Sequence, residues 1–223
     1  MAQAPSLFSA DGYQARVEKQ VPALQDVHLM VGLLLAETVP DEGCILALGA
    51  GGGMELKALR QRHPAWHFSA IDPSPEMIKQ AEVTLDGDLT QIAFTQGYTD
   101  DAPEGPFDGA TGLFVLHFLE PAERLRTLRQ IHRRLKPGAP LVVAHHSFPR
   151  ENGAEGRWLT RYADFQIARG LDPAQTRSGV TSMKDRLPAL SPTQDEALLR
   201  EAGFKDVELF YAALTFKGWI AYR

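Results

Sequence analysis

The chain has 223 residues, of which 44% are hydrophobic and 23% charged. That balance suits one folded domain of ordinary size and excludes a disordered or low-complexity chain. The net charge of −5 argues against nucleic acid as the main partner, because phosphate contacts draw on clustered Lys and Arg.

A single cysteine, Cys44, leaves no internal disulfide framework and fits a reducing compartment. It reads as a small core residue. The N-terminal stretch MAQAPSLFSADGYQ has no basic segment followed by an apolar run. The longest apolar stretch, around Val31 to Leu35, is far too short to cross a bilayer. A cytoplasmic protein with no membrane partner is expected.

From Tyr13 to Val39 apolar residues recur at three- and four-residue steps, which predicts helix. Pro22 should break this stretch in two. A short apolar run from Cys44 to Leu48 reads as a buried strand, followed by the glycine turn Gly49-Ala50-Gly51-Gly52-Gly53 and a helix over 54–62. A second strand from Trp66 ends at Asp72, and Pro73-Ser74-Pro75 opens a helix over 76–85. Further strands are expected at 92–95, 107–114 and 141–145, with a helix from Pro121 to about Leu135. Strands alternating with helices in this way require a mostly parallel sheet covered on both faces. Residues 148–190 leave that rhythm and read as an inserted helix and loop. A helix over 193–202 and two closely connected strands, 206–212 and 215–222, complete the chain, the last pair antiparallel.

The chemistry is expected at the glycine turn. Glycine lets backbone approach a ligand where a Cβ would clash, and the helix behind it presents free N–H groups. Asp72 lies 23 residues after Gly49, where an acid at the end of the next strand can accept ribose hydroxyls. The competing readings are a tight turn with a helix-capping Asp, or a dinucleotide site. The dinucleotide pattern wants glycine where Met54 stands, so a nucleoside without pyrophosphate is favoured.

ILALGAGGG, FSAIDPSPEMI, GPFDGATGLFVLHFL and RRLKPGAPLVV, in that order, resemble class I S-adenosylmethionine-dependent methyltransferases. The resemblance covers about residues 20–223. It implies an α/β, Rossmann-like fold with a seven-stranded, mostly parallel sheet, an antiparallel C-terminal strand and helices on both faces. Residues 1–223 would form one domain, with a helical cap over 1–40 and a lid over 148–190. It implies S-adenosyl-L-methionine as cofactor and S-adenosyl-L-homocysteine as product. Gly49, Ala50, Gly51 and Gly53 would line the cofactor's methionine part. Asp72 would hold the ribose, with Pro73, Met77, Tyr98 and Thr99 near the adenine and Leu113 beside the methionine. Ala47 stands where the family usually has an acid. VPALQDVHLMVGLLLAE, VLHFLEPAERL and EALLREAGFKDVELFYAALTFKGWIA look like carboxy-S-adenosylmethionine synthases. However, Leu198 and Leu24 replace the arginine and tyrosine that those enzymes turn to the cofactor. A non-catalytic S-adenosylmethionine-binding protein is a third reading.

Methyl transfer from a sulfonium is an in-line displacement that mainly needs alignment in a dry pocket. His117, after the fourth strand, is the candidate base, with a structural histidine as its alternative. His145 and His146 end the fifth strand, on the edge where ligands sit. Tyr13, Trp158, Arg161 and Tyr162, with Phe165, are candidates to hold a small-molecule acceptor, or else form the lid's own core. The three histidines have no carboxylate or cysteine at ligand spacing, so no metal is expected. Arg124, Arg126, Arg129, Arg133 and Arg134 read as the solvated face of a helix rather than a nucleic-acid patch. The aromatic insertion is the face on which a homodimer would be expected.

Overall fold

The computed structural model describes residues 12–223. Most of the stretch MAQAPSLFSADGYQ lies outside them. Seven strands form one sheet: β1 (Cys44–Leu48), β2 (His67–Asp72), β3 (Ile92–Gln96), β4 (Gly109–Leu113), β5 (Pro140–His146), β6 (Lys205–Ala213) and β7 (Phe216–Tyr222). Their spatial order is β3-β2-β1-β4-β5-β7-β6. β1 to β5 run parallel, and β7 pairs antiparallel with both β5 and β6. This is the Rossmann-like α/β sheet read from the sequence. The chain winds outward from β1 in one direction and from β4 in the other. A crevice therefore opens between the carboxyl ends of those two strands, where open α/β sheets bind ligands.

Both sheet faces carry an apolar core, because the central strands are buried on both sides. One core packs α2 (Leu24–Ala36), α3 (Met54–Arg62), α6 (Ala154–Ala168) and α7 (Pro173–Arg186) on Ile45, Ala47, Val142 and Ala144. The other packs α5 (Pro121–Arg134) and α8 (Pro192–Glu201) on Leu46, Leu48, Leu141 and Val143. Helix starts follow local chemistry. Ser74 caps α4 (Pro75–Thr84) by accepting from the Met77 N–H, and Ser191 with Gln194 forms a capping box on α8. Pro22 separates α1 (Tyr13–Gln20) from α2, with Ala23 left-handed at φ 53°. Among the described residues no helix is long and apolar enough to cross a membrane.

Four expectations are corrected. Cys44 is exposed, because it opens β1 at the rim of the sheet, before the strand enters the core. The fourth strand is shorter than 107–114, and Phe107 contributes only an isolated bridge to Leu135. The insertion holds two helices, α6 and α7, packed on each other, not a helix and a loop. Arg124 and Arg134 are buried rather than solvated. Arg124 pairs with Asp195 and donates to the Pro188 and Leu119 carbonyls. Arg134 donates to Pro103 O, Gln130 O and Ala102 O. Helical periodicity scores every arginine as polar, yet a guanidinium whose donors are met by carbonyls can be buried.

Candidate active site

The glycine turn closes β1 onto α3. Gly49 has φ +65°, and a Cβ there would lie 2.6 Å from Val115 Cγ2, so only glycine fits. Asp72 then ties the turn to the end of β2. Its Oδ2 accepts from the Gly51 N–H and its Oδ1 from the Ser74 N–H, both at 2.9 Å. Burial raises its pKa, and these two backbone bonds oppose the rise. Each carboxylate oxygen keeps a second lone pair, which suits it to accept a diol. Met77, half-buried, reaches toward Gly51, while Pro73 is exposed. The Gly97 N–H donates to Asp72 O at 3.1 Å, which draws Tyr98 and Thr99 alongside. Thr99 is buried, whereas the Tyr98 ring is exposed and its N–H is held by Asp101.

Tyr13 lies over this turn. A Cβ on Gly52 would come within 2.6 Å of its ring, and burial first, then the Asp72 charge, raises its pKa. The Gln14 amide donates to Thr84 Oγ1 at 2.7 Å, fastening α1 to the end of α4. The N-terminal helix thus covers the glycine turn, and Tyr13 stands on the Asp72 side of the crevice.

Across the crevice β4 ends at Leu113, which is buried. Phe114 follows at φ +59°, a left-handed conformation that costs about 1–3 kcal/mol for a bulky residue and persists where surroundings impose it. Its ring meets Phe216 edge-on at 5.6 Å. The short 3-10 turn Leu116–Phe118 carries His117. His117 Nδ1 accepts from the His146 N–H at 3.3 Å, which places its own proton on Nε2. Burial, then His146, His145 and Arg124, hold its pKa well below the ordinary histidine range. His117 is therefore a neutral imidazole that offers a donor, not a base, through Nε2.

His146 stacks on Phe216 at 3.9 Å, meets Tyr162 edge-on and shares a hydrogen bond with Thr215 Oγ1 at 3.0 Å. Burial pushes its pKa down to about 3. His145 points to the opposite sheet face, as alternation along a strand requires, toward Trp219 and 3.2 Å from Asp195. It takes no part in the crevice. On α6, half-buried Trp158 has the Arg161 guanidinium 4.8 Å and the Lys217 ammonium 5.6 Å from its ring centroid. Among the described residues no three His, Cys, Asp or Glu side chains converge as a metal site.

Two features of the crevice were not singled out in the sequence. Phe114 and Phe216 come together only through the pairing of β4, β5 and β7. Glu55, in the first turn of α3, is buried, and its Oε1 has no partner. Burial raises its carboxyl to about 7, with the nearby Thr111 hydroxyl acting the other way. The signal for it was present: Glu55 stands four residues before Leu59, on the stripe that α3 buries.

Residues 46–141 match the family model of a methyltransferase domain. A carboxy-S-adenosyl-L-methionine synthase from Salmonella arizonae is 26% identical over 219 residues, spanning 96% of this chain and 88% of that protein. Over residues 46–141 the chain is similar to methyltransferase domains. Solved methyltransferases share its fold. Human N-acetylserotonin methyltransferase, in complex with SAM, superposes with TM-score 0.60 at 19% identity, over 99% of this chain and 60% of that one. An O-methyltransferase family protein from Burkholderia thailandensis gives TM-score 0.65 at 15% identity, over 90% of this chain and 57% of that one. The chain thus spans less than two thirds of either enzyme. The glycine turn and Asp72 fit S-adenosylmethionine, since Gly49 leaves no room for a Cβ and Asp72 keeps two acceptor positions.

Proposed function

We propose that the protein transfers the methyl group of S-adenosyl-L-methionine to a small-molecule acceptor, releasing S-adenosyl-L-homocysteine. The observation that carries this reading is Asp72, whose carboxylate joins the glycine turn to the end of β2 at the switch point of the sheet. Bound cofactor supplies an electrophilic methyl on a sulfonium. Gly49, Ala50, Gly51, Gly53 and Leu113 line its methionine part. Asp72 accepts the ribose hydroxyls, and Pro73, Met77, Tyr98 and Thr99 border the adenine. Tyr13 closes α1 over it and excludes water.

The acceptor lies between His117, His146 and Tyr162, with Trp158 and Arg161 at the mouth. His117 orients it by donating from Nε2, so a nucleophile with a lone pair is held in line with the methyl. The acidic chain acts in the cytoplasm as one domain, and the α6–α7 lid is the face for a homodimer. Incubation with methyl-labelled cofactor and a panel of small amines, phenols and carboxylic acids tests the reading. Acceptor-dependent formation of S-adenosylhomocysteine, abolished by Asp72→Ala, is expected, and its absence across the panel counts against turnover.

The similarity to carboxy-S-adenosyl-L-methionine synthases favours a second reading, use of a carboxylated cofactor. Leu198 opposes it, because this side chain packs against the apolar core shared by α5 and α8 and offers no charge to a carboxylate. The mass of the ligand that co-purifies with the protein separates the two.

A further inference from the structure

The face of β1 and β4 that looks toward α3 carries two buried polar residues in an otherwise apolar core. Ala47 and Thr111 are paired neighbours on the adjacent strands, so their side chains share that face. Glu55 reaches back from the first turn of α3, as helical side chains lean toward the N-terminus, and sets its carboxyl by Thr111. Glu55 Oε1 and Thr111 Oγ1 are both buried with no hydrogen bond of ordinary length, and the nearby Thr111 hydroxyl is the polar group that the carboxylate faces. Glu55 is 6% exposed and has no salt-bridge partner among the described residues. A buried carboxylate without a cation is costly, and it is kept where a ligand brings the missing charge. Both oxygens keep lone pairs that can accept from an ammonium, and Thr111 lies two residues, one pleat, before the end of β4 at the crevice.

We propose that Glu55, with Thr111 beside it, is the anionic subsite for the ammonium end of the cofactor's methionine part. This assignment rests on the cofactor reading above. Ala47 and Glu55 belong together: the strand position lacks an acid, and the helix supplies the carboxylate from across the same face. Glu55 is a binding residue that distinguishes amino-acid-bearing nucleosides from bare ones.

The test measures calorimetric affinities of the wild type and Glu55→Gln for three ligands: S-adenosylmethionine, S-adenosylhomocysteine and 5′-methylthioadenosine. The last keeps the adenosine and thioether and lacks the amino acid. Loss of a charge-assisted hydrogen bond predicts roughly 10- to 100-fold weaker binding of the first two by Glu55→Gln, with 5′-methylthioadenosine changed less than about twofold. Retained 5′-methylthioadenosine binding also shows that the variant is folded. Equal weakening of all three ligands, or of none, overturns the assignment while leaving the cofactor reading intact. Failure of all three to bind the wild type overturns both.

Discussion

Replacing Glu55 by glutamine removes a buried charge while keeping the shape of the side chain, and this should make the free protein more stable at neutral and alkaline pH. Burial lifts the carboxyl from its ordinary 4.5 to about 7. The unfolded chain releases the same proton near 4.5, so between these values the folded state holds more protons than the unfolded one. Stability therefore falls as pH rises through this window. The penalty is about 3 kcal/mol once pH exceeds 7, at 1.4 kcal/mol per pH unit. For a domain of this length that is roughly 6–12 °C in Tm. Calorimetric melts of wild type and Glu55→Gln from pH 4.5 to 8.5 isolate the effect, because every other titrating group is common to both. The curves should meet near the acid end and separate progressively, with the variant melting higher above pH 7. Parallel curves would refute the reasoning, since the carboxyl would then carry no burial penalty.

Other consequences follow from the same geometry. Tyr13→Ala removes the ring that covers the glycine turn, so cofactor should dissociate about tenfold faster in stopped-flow; an unchanged rate would confine Tyr13 to packing. His117→Ala should lower kcat by roughly 10- to 100-fold with the Kd for S-adenosylhomocysteine unaltered; activity within about tenfold of wild type removes His117 from the chemistry. Burial holds both His117 and His146 well below the ordinary histidine range, so kcat should show no histidine limb near pH 6.5. A limb near pH 6.5 would mean that an imidazole ionises during turnover. Arg124→Ala leaves Asp195 buried without its guanidinium partner, with His145 beside it, and should cost about 3–5 kcal/mol in urea unfolding; a loss under 1 kcal/mol would show that the pair contributes little.

What could be read from the sequence was what depends on short-range chemistry. The strand, glycine turn and helix at Cys44–Arg62 are set by local burial and backbone freedom, and Asp72 follows at a spacing fixed by one helix and one strand. Pro22 divides the N-terminal helices for a reason contained in its own ring. What escaped depends on long-range pairing. The two-residue period puts His145 and His146 on opposite faces, but only the placement of α6 and α8 decides which face is the crevice. Tyr13 reaches the glycine turn through the packing of α1 against α4, which nothing near Tyr13 encodes. Arg124 looks like an ordinary surface charge until Asp195 is brought beside it, and Glu55 sits on the buried stripe of α3 but meets Thr111 only through the sheet. Cys44 fits an apolar run, yet the rim of the sheet leaves it in water.

The central claim is that the crevice between β1 and β4 holds S-adenosylmethionine through Asp72. Calorimetric titration of the purified protein with S-adenosylmethionine and S-adenosylhomocysteine, beside an Asp72→Ala variant shown by its melt to be folded, tests it most directly. The account predicts micromolar binding of both ligands by the wild type and its loss in the variant. Absence of binding to the wild type, or equal binding to both proteins, would contradict it.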